Sequence, residues 1–329
     1  MKKLYLDSGY VNMNYLMSLD YPFIIICGAR GTGKTYGALK YIMEENAPFI
    51  LMRRTQGETD LITSPEMSPF KALPDGGEIV TKPLTKYNGA IYRGEDPTPI
   101  GYTMALSTIS KVRGFDASEV RYIIYDEFVP EKHVSKIRNE GDAFFNAYET
   151  VNRNRELNGE KPVKAVLLSN SNNLFNPICT ELQVIKDLAE MAKTGKEIRL
   201  LPKRGIALVY LQHSPISDRK AKTALYRAVG DTDFSEMAIQ NSFGFDDHMV
   251  KSFPLRVLTP VIQVKELVVY KIKGTHDYYA SLHSSGSPRV ISPEQFRLKW
   301  GDLWIKYITD HLYFEDAYSQ GLFLKLIKP

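Results

Sequence analysis

Apolar residues in this chain fall in short, unbroken runs separated by helical patterns. The runs are Phe23 to Cys27, Phe49 to Met52, Val120 to Tyr125, Val163 to Leu168 and Gly205 to Gln212. Such β-branched runs predict strands buried on both faces of a parallel sheet. Between them the spacing predicts helices from Lys34 to about Asn46, from Glu140 to Leu157 and from Pro177 to Met191. In the second of these, Phe144, Phe145, Tyr148 and Val151 recur at core spacing. The alternation predicts a doubly wound α/β sheet with ligand groups at the strands' C-terminal ends. Shorter strands are expected at Glu78 to Thr81, Ala90 to Arg93, Tyr102 to Leu106 and Glu197 to Leu201. Asn88-Gly89 reads as a hairpin turn, and Thr55 to Asp75 as a polar loop punctuated by prolines.

After residue 205 the pattern changes. Ser217 to Gln240 reads as a basic helical pair, with Ser217 and Thr232 as N-caps and Gly230 as a stop. Short strands then recur at Val261 to Val264, Leu267 to Ile272 and Tyr278 to Leu282, and Ser292-Pro293-Glu294 opens a helix. The expected organisation is an α/β domain over 1–205, a helical linker or lid over 206–249, and a small α+β domain over 250–329.

Chemistry enters at the first run. Gly28-Ala29-Arg30-Gly31-Thr32-Gly33-Lys34-Thr35 matches the phosphate-binding pattern G-x-x-x-x-G-K-[ST], between a strand and a helix. Glycines let successive backbone N–H groups turn inward around a phosphate, and the helix N-terminus adds positive charge. Lys34 would bridge the β- and γ-phosphates, and the Thr35 hydroxyl would hold Mg²⁺. The chain is thus expected to bind a nucleotide such as ATP as a P-loop NTPase.

The run from Val120 to Tyr125 ends in Asp126-Glu127, as a Walker B strand does. Asp126 would hold Mg²⁺ and Glu127 would polarise the attacking water, which makes the fold ASCE-type. Asn170, at the end of the next strand, is a candidate γ-phosphate sensor, or else a turn-forming Asn. Arg153 and Arg155 end a helix, where they suit its dipole. Alternatively, one is an arginine finger that reaches an ATP on an adjacent subunit. Lys111 and Arg113 sit in a loop that either faces a phosphate or is solvated surface.

Residues 1–200 hold equal numbers of basic and acidic side chains, so the net charge of +4 belongs to the rest. Arg199, Lys203, Arg204, Arg219, Lys220, Lys222 and Arg227 stand against Asp218 in one segment. That asymmetry suggests a polyanionic partner, against the plainer reading of a solvated helix face. The two cysteines, Cys27 and Cys179, give no disulfide framework, which fits a reducing compartment. No apolar run reaches membrane-spanning length, and the N-terminal stretch lacks the apolar core of a secretory signal.

Taken in order, Gly28 to Thr35, Phe49 to Arg54 (FILMRR), Tyr125 to Phe128 (YDEF), Thr150 to Glu156 (TVNRNRE) and Leu168 to Asn170 (LSN) resemble the DNA-packaging ATPases of small, short-tailed phages with protein-primed genomes. These are compact relatives of terminase large subunits. The resemblance covers roughly residues 20 to 175. It implies a homo-oligomeric ring, pentameric in relatives, docked on the portal of a procapsid and driving double-stranded DNA inward with ATP. It places Arg153 as the trans-acting arginine. It also implies an RNase H-like C-terminal domain without the nuclease's acidic triad, and it permits a packaging RNA. The site of action would be the host cytoplasm, transiently on the procapsid and not in the mature virion.

The residues agree on the missing nuclease. Pro260 to Val264 carries no Asp, and basic residues outnumber Glu266 and Asp277 between 250 and 289. Thr55 to Ser64 is a candidate DNA-gripping loop. Rival readings are a helicase-like ATPase, a nucleotide kinase, and a nucleotide-dependent switch without motor activity.

Overall fold

The computed structural model describes residues 3–112, 115–129, 137, 139–170, 176–211, 214–229 and 249–327. It divides into two units, Met1–Phe243 and Gly244–Pro329. The apolar runs of the first unit lie side by side in one sheet. Its strands are β1 (Phe23–Gly28), β2 (Phe49–Arg53), β3 (Ile79–Pro83), β4 (Asn88–Arg93), β5 (Gly101–Ala105), β6 (Tyr122–Asp126), β7 (Lys164–Ser169), β8 (Ile198–Leu201) and β9 (Ile206–Leu211). The order is β3-β4-β5-β2-β6-β7-β1-β9-β8. From β5 to β9 all neighbours are parallel, and antiparallel strands close both edges.

Strand β7 separates the phosphate-loop strand β1 from β6. An inserted strand between those two is the mark of the ASCE layout. Alternation sorts the side chains onto two faces. Ile24, Ile26, Leu51, Ile124, Val166 and Val209 pack with Ala38, Leu39 and Ile42 of helix α2 (Lys34–Glu45), next to α1 (Met13–Met17). Tyr125 faces the other way, stacked on Phe144 of α4 (Glu140–Asn152) at 5.6 Å between ring centroids. Each such fully buried side chain contributes about 1.5–3 kcal/mol.

Several expectations are corrected. The stretch after β2 opens with a helix, α3 (Gln56–Thr63), not a loop. Thr55 and Glu58 form a reciprocal capping box, a sequence signal stronger than the prolines that follow. Asn88 and Gly89 are paired in β4 opposite Met104 and Thr103. The hairpin turn lies before them, where Leu84 and Thr85 donate backbone N–H groups to the Asn88 carbonyl. The long helix from Glu140 stops at Asn152, where Arg153 takes φ 48°. Pro177 to Met191 is two helices, α5 (Pro177–Glu181) and α6 (Ile185–Thr194), broken at Gln183 with φ 50°. The strand Ile206–Leu211, assigned by sequence to the linker, pairs with β1 at the centre of the sheet. Past it come α7 (Pro215–Ala221) and α8 (Ala224–Val229). The first begins at Pro215, so Ser217 lies inside it rather than capping it. Gly230 and Thr232 lie outside the described residues.

The second unit is an additional α/β domain. It holds β10 (Leu258–Val264), β11 (Leu267–Ile272), β12 (Tyr278–Ser281), β13 (Arg289–Val290) and β14 (Leu312–Phe314) in the order β13-β10-β11-β12-β14. Helices α9 (Pro293–Lys299), α10 (Asp302–Ile308) and α11 (Ala317–Ile327) accompany them. Its own core joins Ile262, Val264, Leu267 and Val269 to Phe296, Leu303, Phe314 and Phe323. No helix of the described residues is long and apolar enough to cross a membrane.

Candidate nucleotide site

Parallel strands bring their C-terminal ends to one edge of the sheet, and the motif residues gather there. Gly28 ends β1, and Ala29 is buried behind the loop. Gly31 and Gly33 have φ of 75° and 90°, a region that costs other residues strain. A Cβ on Gly33 would stand 3.2 Å from the ring of Tyr10. Arg30 is exposed at the loop's tip.

Lys34 is buried and its ammonium donates to the carbonyls of Gly28 (2.9 Å) and Ala29 (2.8 Å) and to Thr32 Oγ1 (3.2 Å). Burial pushes its pKa down to about 8 against the opposing pull of Asp126. Thr35 Oγ1 donates to Asp126 Oδ1 at 3.0 Å, joining the two expected metal ligands across 91 positions. Burial raises the Asp126 pKa, and Arg53 opposes that rise.

Glu127 follows at φ 55°, a left-handed conformation unusual for a non-glycine residue. Its carboxylate is exposed and held from two sides. Asn170 Nδ2 donates to Oε1 at 3.2 Å, and Arg53 Nη1 to Oε2 at 2.7 Å. The other Arg53 nitrogen reaches Asp126 Oδ2 at 2.7 Å. Strained, over-determined residues of this kind recur at active sites.

Arg53 and Arg54 carry roles that the sequence reading did not assign. Successive strand residues point to opposite faces, so Arg53 reaches the acidic pair while Arg54 is buried. Arg54 grips Glu140 with two bonds of 2.6 and 2.9 Å. Burial opposes its charge, but Glu140 outweighs that and the Arg54 pKa is raised. The available signal was a pair of arginines directly after a buried strand.

The structure separates the two helix-end arginines. Arg155 is buried and donates to the carbonyls of Ala117 (3.0 Å) and Ser118 (2.5 Å). Arg153 is exposed, with one bond of 3.2 Å to the Phe115 carbonyl. Helix α4 starts beside Arg54 and Tyr125 at the loop's edge of the sheet and ends beside Val163, ahead of β7. Its length, about 20 Å for 13 residues, puts Arg153 at the opposite edge from its own phosphate loop.

Much of the expected basic surface is occupied by the protein itself. Arg199 pairs with Asp187 and Glu190 at 2.8 Å each. Arg204 donates to the Leu182 carbonyl, and Arg219 to that of Ser8. Lys111 lies over the Tyr87 ring at 4.7 Å, and Arg113 lies outside the described residues.

The model of the podovirus DNA encapsidation protein (Gp16) family matches residues 6–252. The chain belongs to that family. The DNA packaging proteins of Bacillus phages PZA and phi29 are each 27% identical to it, over 74% and 72% of the chain and 68% and 66% of their own lengths. Among solved structures, the phi28 gp11 DNA packaging motor matches with a TM-score of 0.60 and 16% identity, covering 97% of this chain and 98% of that one. The phi29 genome packaging motor assembly gives 0.61 and 20%, covering 96% and 99%. The fold is therefore shared over both units, and the family places the chain among DNA encapsidation proteins.

Proposed function

We propose that this encapsidation-family protein hydrolyses ATP with Mg²⁺ and couples the energy to the movement of double-stranded DNA into a procapsid. The observation that carries the reading is the bond from Thr35 to Asp126 at the mouth of the loop, with Glu127 fixed beside it.

The donor set fits Mg²⁺. A hydroxyl and one carboxylate are hard oxygen ligands that leave positions for phosphate oxygens and water. When bound, Mg²⁺ would neutralise charge that develops on the phosphates. The chain's own residues do the rest. The loop's N–H groups cradle the phosphates, and Lys34 turns from the carbonyls of Gly28 and Ala29 to the β- and γ-oxygens. Glu127 orients the attacking water, and Asn170 senses the γ-phosphate through the bond it makes to Glu127.

Arg153 acts in trans. At the far edge of the sheet it serves the nucleotide of a neighbouring protomer, so the motor is a ring, with a pentamer as the reading drawn from resemblance. The solved structures of similar fold bear the words packaging motor in their names, which supports a packaging role; docking on a portal in the host cytoplasm is drawn from the resemblance. A packaging RNA remains compatible with the basic second unit. That unit is proposed to lack nuclease activity. Strand β10 contains no acidic residue, and Glu266 accepts a hydrogen bond from Tyr318 at 3.0 Å.

The test is Glu127→Gln. It should bind ATP with Mg²⁺ and fail to hydrolyse it, while wild type hydrolyses ATP faster with DNA and empty capsids. Turnover by the variant at the wild-type rate would remove Glu127 from the reaction. A wild-type rate indifferent to DNA and capsids would leave a nucleotide switch.

A further inference from the structure

Helix α7 is seated against the phosphate loop through the N-terminal strap. Val11 donates its N–H to the Thr32 carbonyl at 3.0 Å, and the Tyr10 ring lies against Gly33. From the other side, Ser214 Oγ donates to the Gly9 carbonyl at 3.0 Å and Arg219 to that of Ser8 at 3.2 Å. Gly9, at φ 87°, lets the strap pass so near that a Cβ there would stand 3.0 Å from the Ile216 nitrogen.

This seating delivers a second ammonium to the loop. Lys220 Nζ donates to the Arg30 carbonyl at 2.8 Å and lies over the Tyr226 ring at 5.2 Å from its centroid. It stands 3.6 Å from where a Cβ of Gly31 would be, and among the described residues beyond the loop's own neighbours only Lys220 atoms approach that point within 4 Å. Among the described residues, this side chain is thus the one that covers the Gly31 Cβ position. Lys34 approaches the loop from within, buried, and Lys220 approaches it from outside, half-buried. Two like charges flank a loop whose N–H groups are built for an anion. A neutral carbonyl is a poorer partner for an ammonium than a phosphate oxygen, because charge-assisted hydrogen bonds are roughly twice as strong.

We infer that Lys220 is a nucleotide-phosphate ligand contributed in cis by α7, which leaves the Arg30 carbonyl for the polyphosphate when nucleotide binds. The inference rests on the reading of this loop as an ATP site and adds a residue that the loop motif does not contain. It also gives a physical link from the nucleotide to the segment after β9, because the Lys220 ammonium of α7 can be bonded to the loop's own backbone or to the ligand. The plainer role, a surface lysine that only fastens α7 to the loop, makes a different prediction for binding.

The experiment compares Lys220→Ala, Lys220→Arg and Arg219→Ala in the full chain by titration with a non-hydrolysable ATP analogue and with ADP. Thermal midpoints confirm that each variant folds. Loss of one charged contact should weaken the analogue roughly ten- to hundredfold in Lys220→Ala. The arginine variant should recover most of that loss, the wild-type and alanine proteins should differ less as salt rises, and Arg219→Ala should bind as wild type does. Wild-type affinity in Lys220→Ala, or equal losses in Lys220→Ala and Arg219→Ala, would overturn the inference and leave Lys220 as a fastener of α7. Failure of the wild-type chain itself to bind the analogue would instead sink the ATP-site reading, and Lys220 with it.

Discussion

Arg53 forms a 2.7 Å ion pair with Glu127 at the mouth of the phosphate loop, and its second nitrogen holds Asp126 at the same distance. The residue expected to orient water is therefore clamped by a cation from the neighbouring region of the sheet. With its side chain 3% exposed, Asp126 has little water to solvate its charge and is paired with that cation instead.

Arg53→Ala should consequently cost stability in a metal-dependent way. Removing one partner of a buried pair leaves an uncompensated charge worth about 3 kcal/mol. The expected outcome is a lowered unfolding midpoint in EDTA that recovers with Mg²⁺ and ATP. An equal loss under both conditions would show that Arg53 does not substitute for a cation at Asp126.

The two helix-end arginines should separate cleanly. Arg153→Ala should leave folding and nucleotide binding intact and lower hydrolysis by ~10³–10⁵. When mixed into wild type, it should depress activity more steeply than its fraction. Proportional loss would mean that Arg153 does not act across protomers. Arg155→Ala should instead destabilise the fold by about 1–3 kcal/mol, because the Ala117 and Ser118 carbonyls lose their donor. A denaturant titration distinguishes the two variants.

Arg54 and Glu140 should behave as a unit. Arg54→Met strands a carboxylate that is 2% exposed and should cost about 3–5 kcal/mol. Combining it with Glu140→Leu should recover much of the loss. A double variant as unstable as the sum of the singles would argue against direct coupling, as a double-mutant cycle would show.

Glu315 should give the second unit an acid-sensitive stability. Burial works against its charge, but donors from Ser281 Oγ (2.7 Å) and the Leu282 N–H (3.1 Å), with His283, outweigh that and hold its pKa below the ordinary carboxylate value. A depressed carboxylate stabilises the fold above its unfolded pKa, about 4.3, and the contribution vanishes as pH falls through the lower folded value. Thermal midpoints of the second unit's transition should fall over that acidic window in wild type and fall less in Glu315→Gln. Parallel curves would remove Glu315 as the cause.

The local code of this chain was strong where neighbouring residues alone set the structure. Uninterrupted apolar runs can be buried on both faces only in the middle of a sheet, so β1, β2, β6, β7 and β9 were legible. So was the phosphate loop, because its geometry needs glycines, a lysine and a hydroxyl at fixed offsets. Where two local signals competed, the weaker one misled: prolines outvoted the Thr55–Glu58 capping box, and Asn88-Gly89 suggested a turn where β4 already begins.

Contacts between distant positions were decided only in three dimensions. Nothing in the spacing says that Arg53 would clamp Asp126 and Glu127 while Arg54 turned inward to Glu140, because that depends on which strands become neighbours. Arg153 and Arg155 are identical side chains two positions apart, yet the left-handed turn at Arg153 leaves one exposed and buries the other. Lys220 looked like one more charge in a basic segment, and the strap and α7 brought it to the loop. The sequence by itself determined the elements and the chemistry of the loop. The packing of strands and helices determined which charges meet, because Coulomb and hydrogen-bond energies depend on separations of a few ångströms that chain distance does not encode.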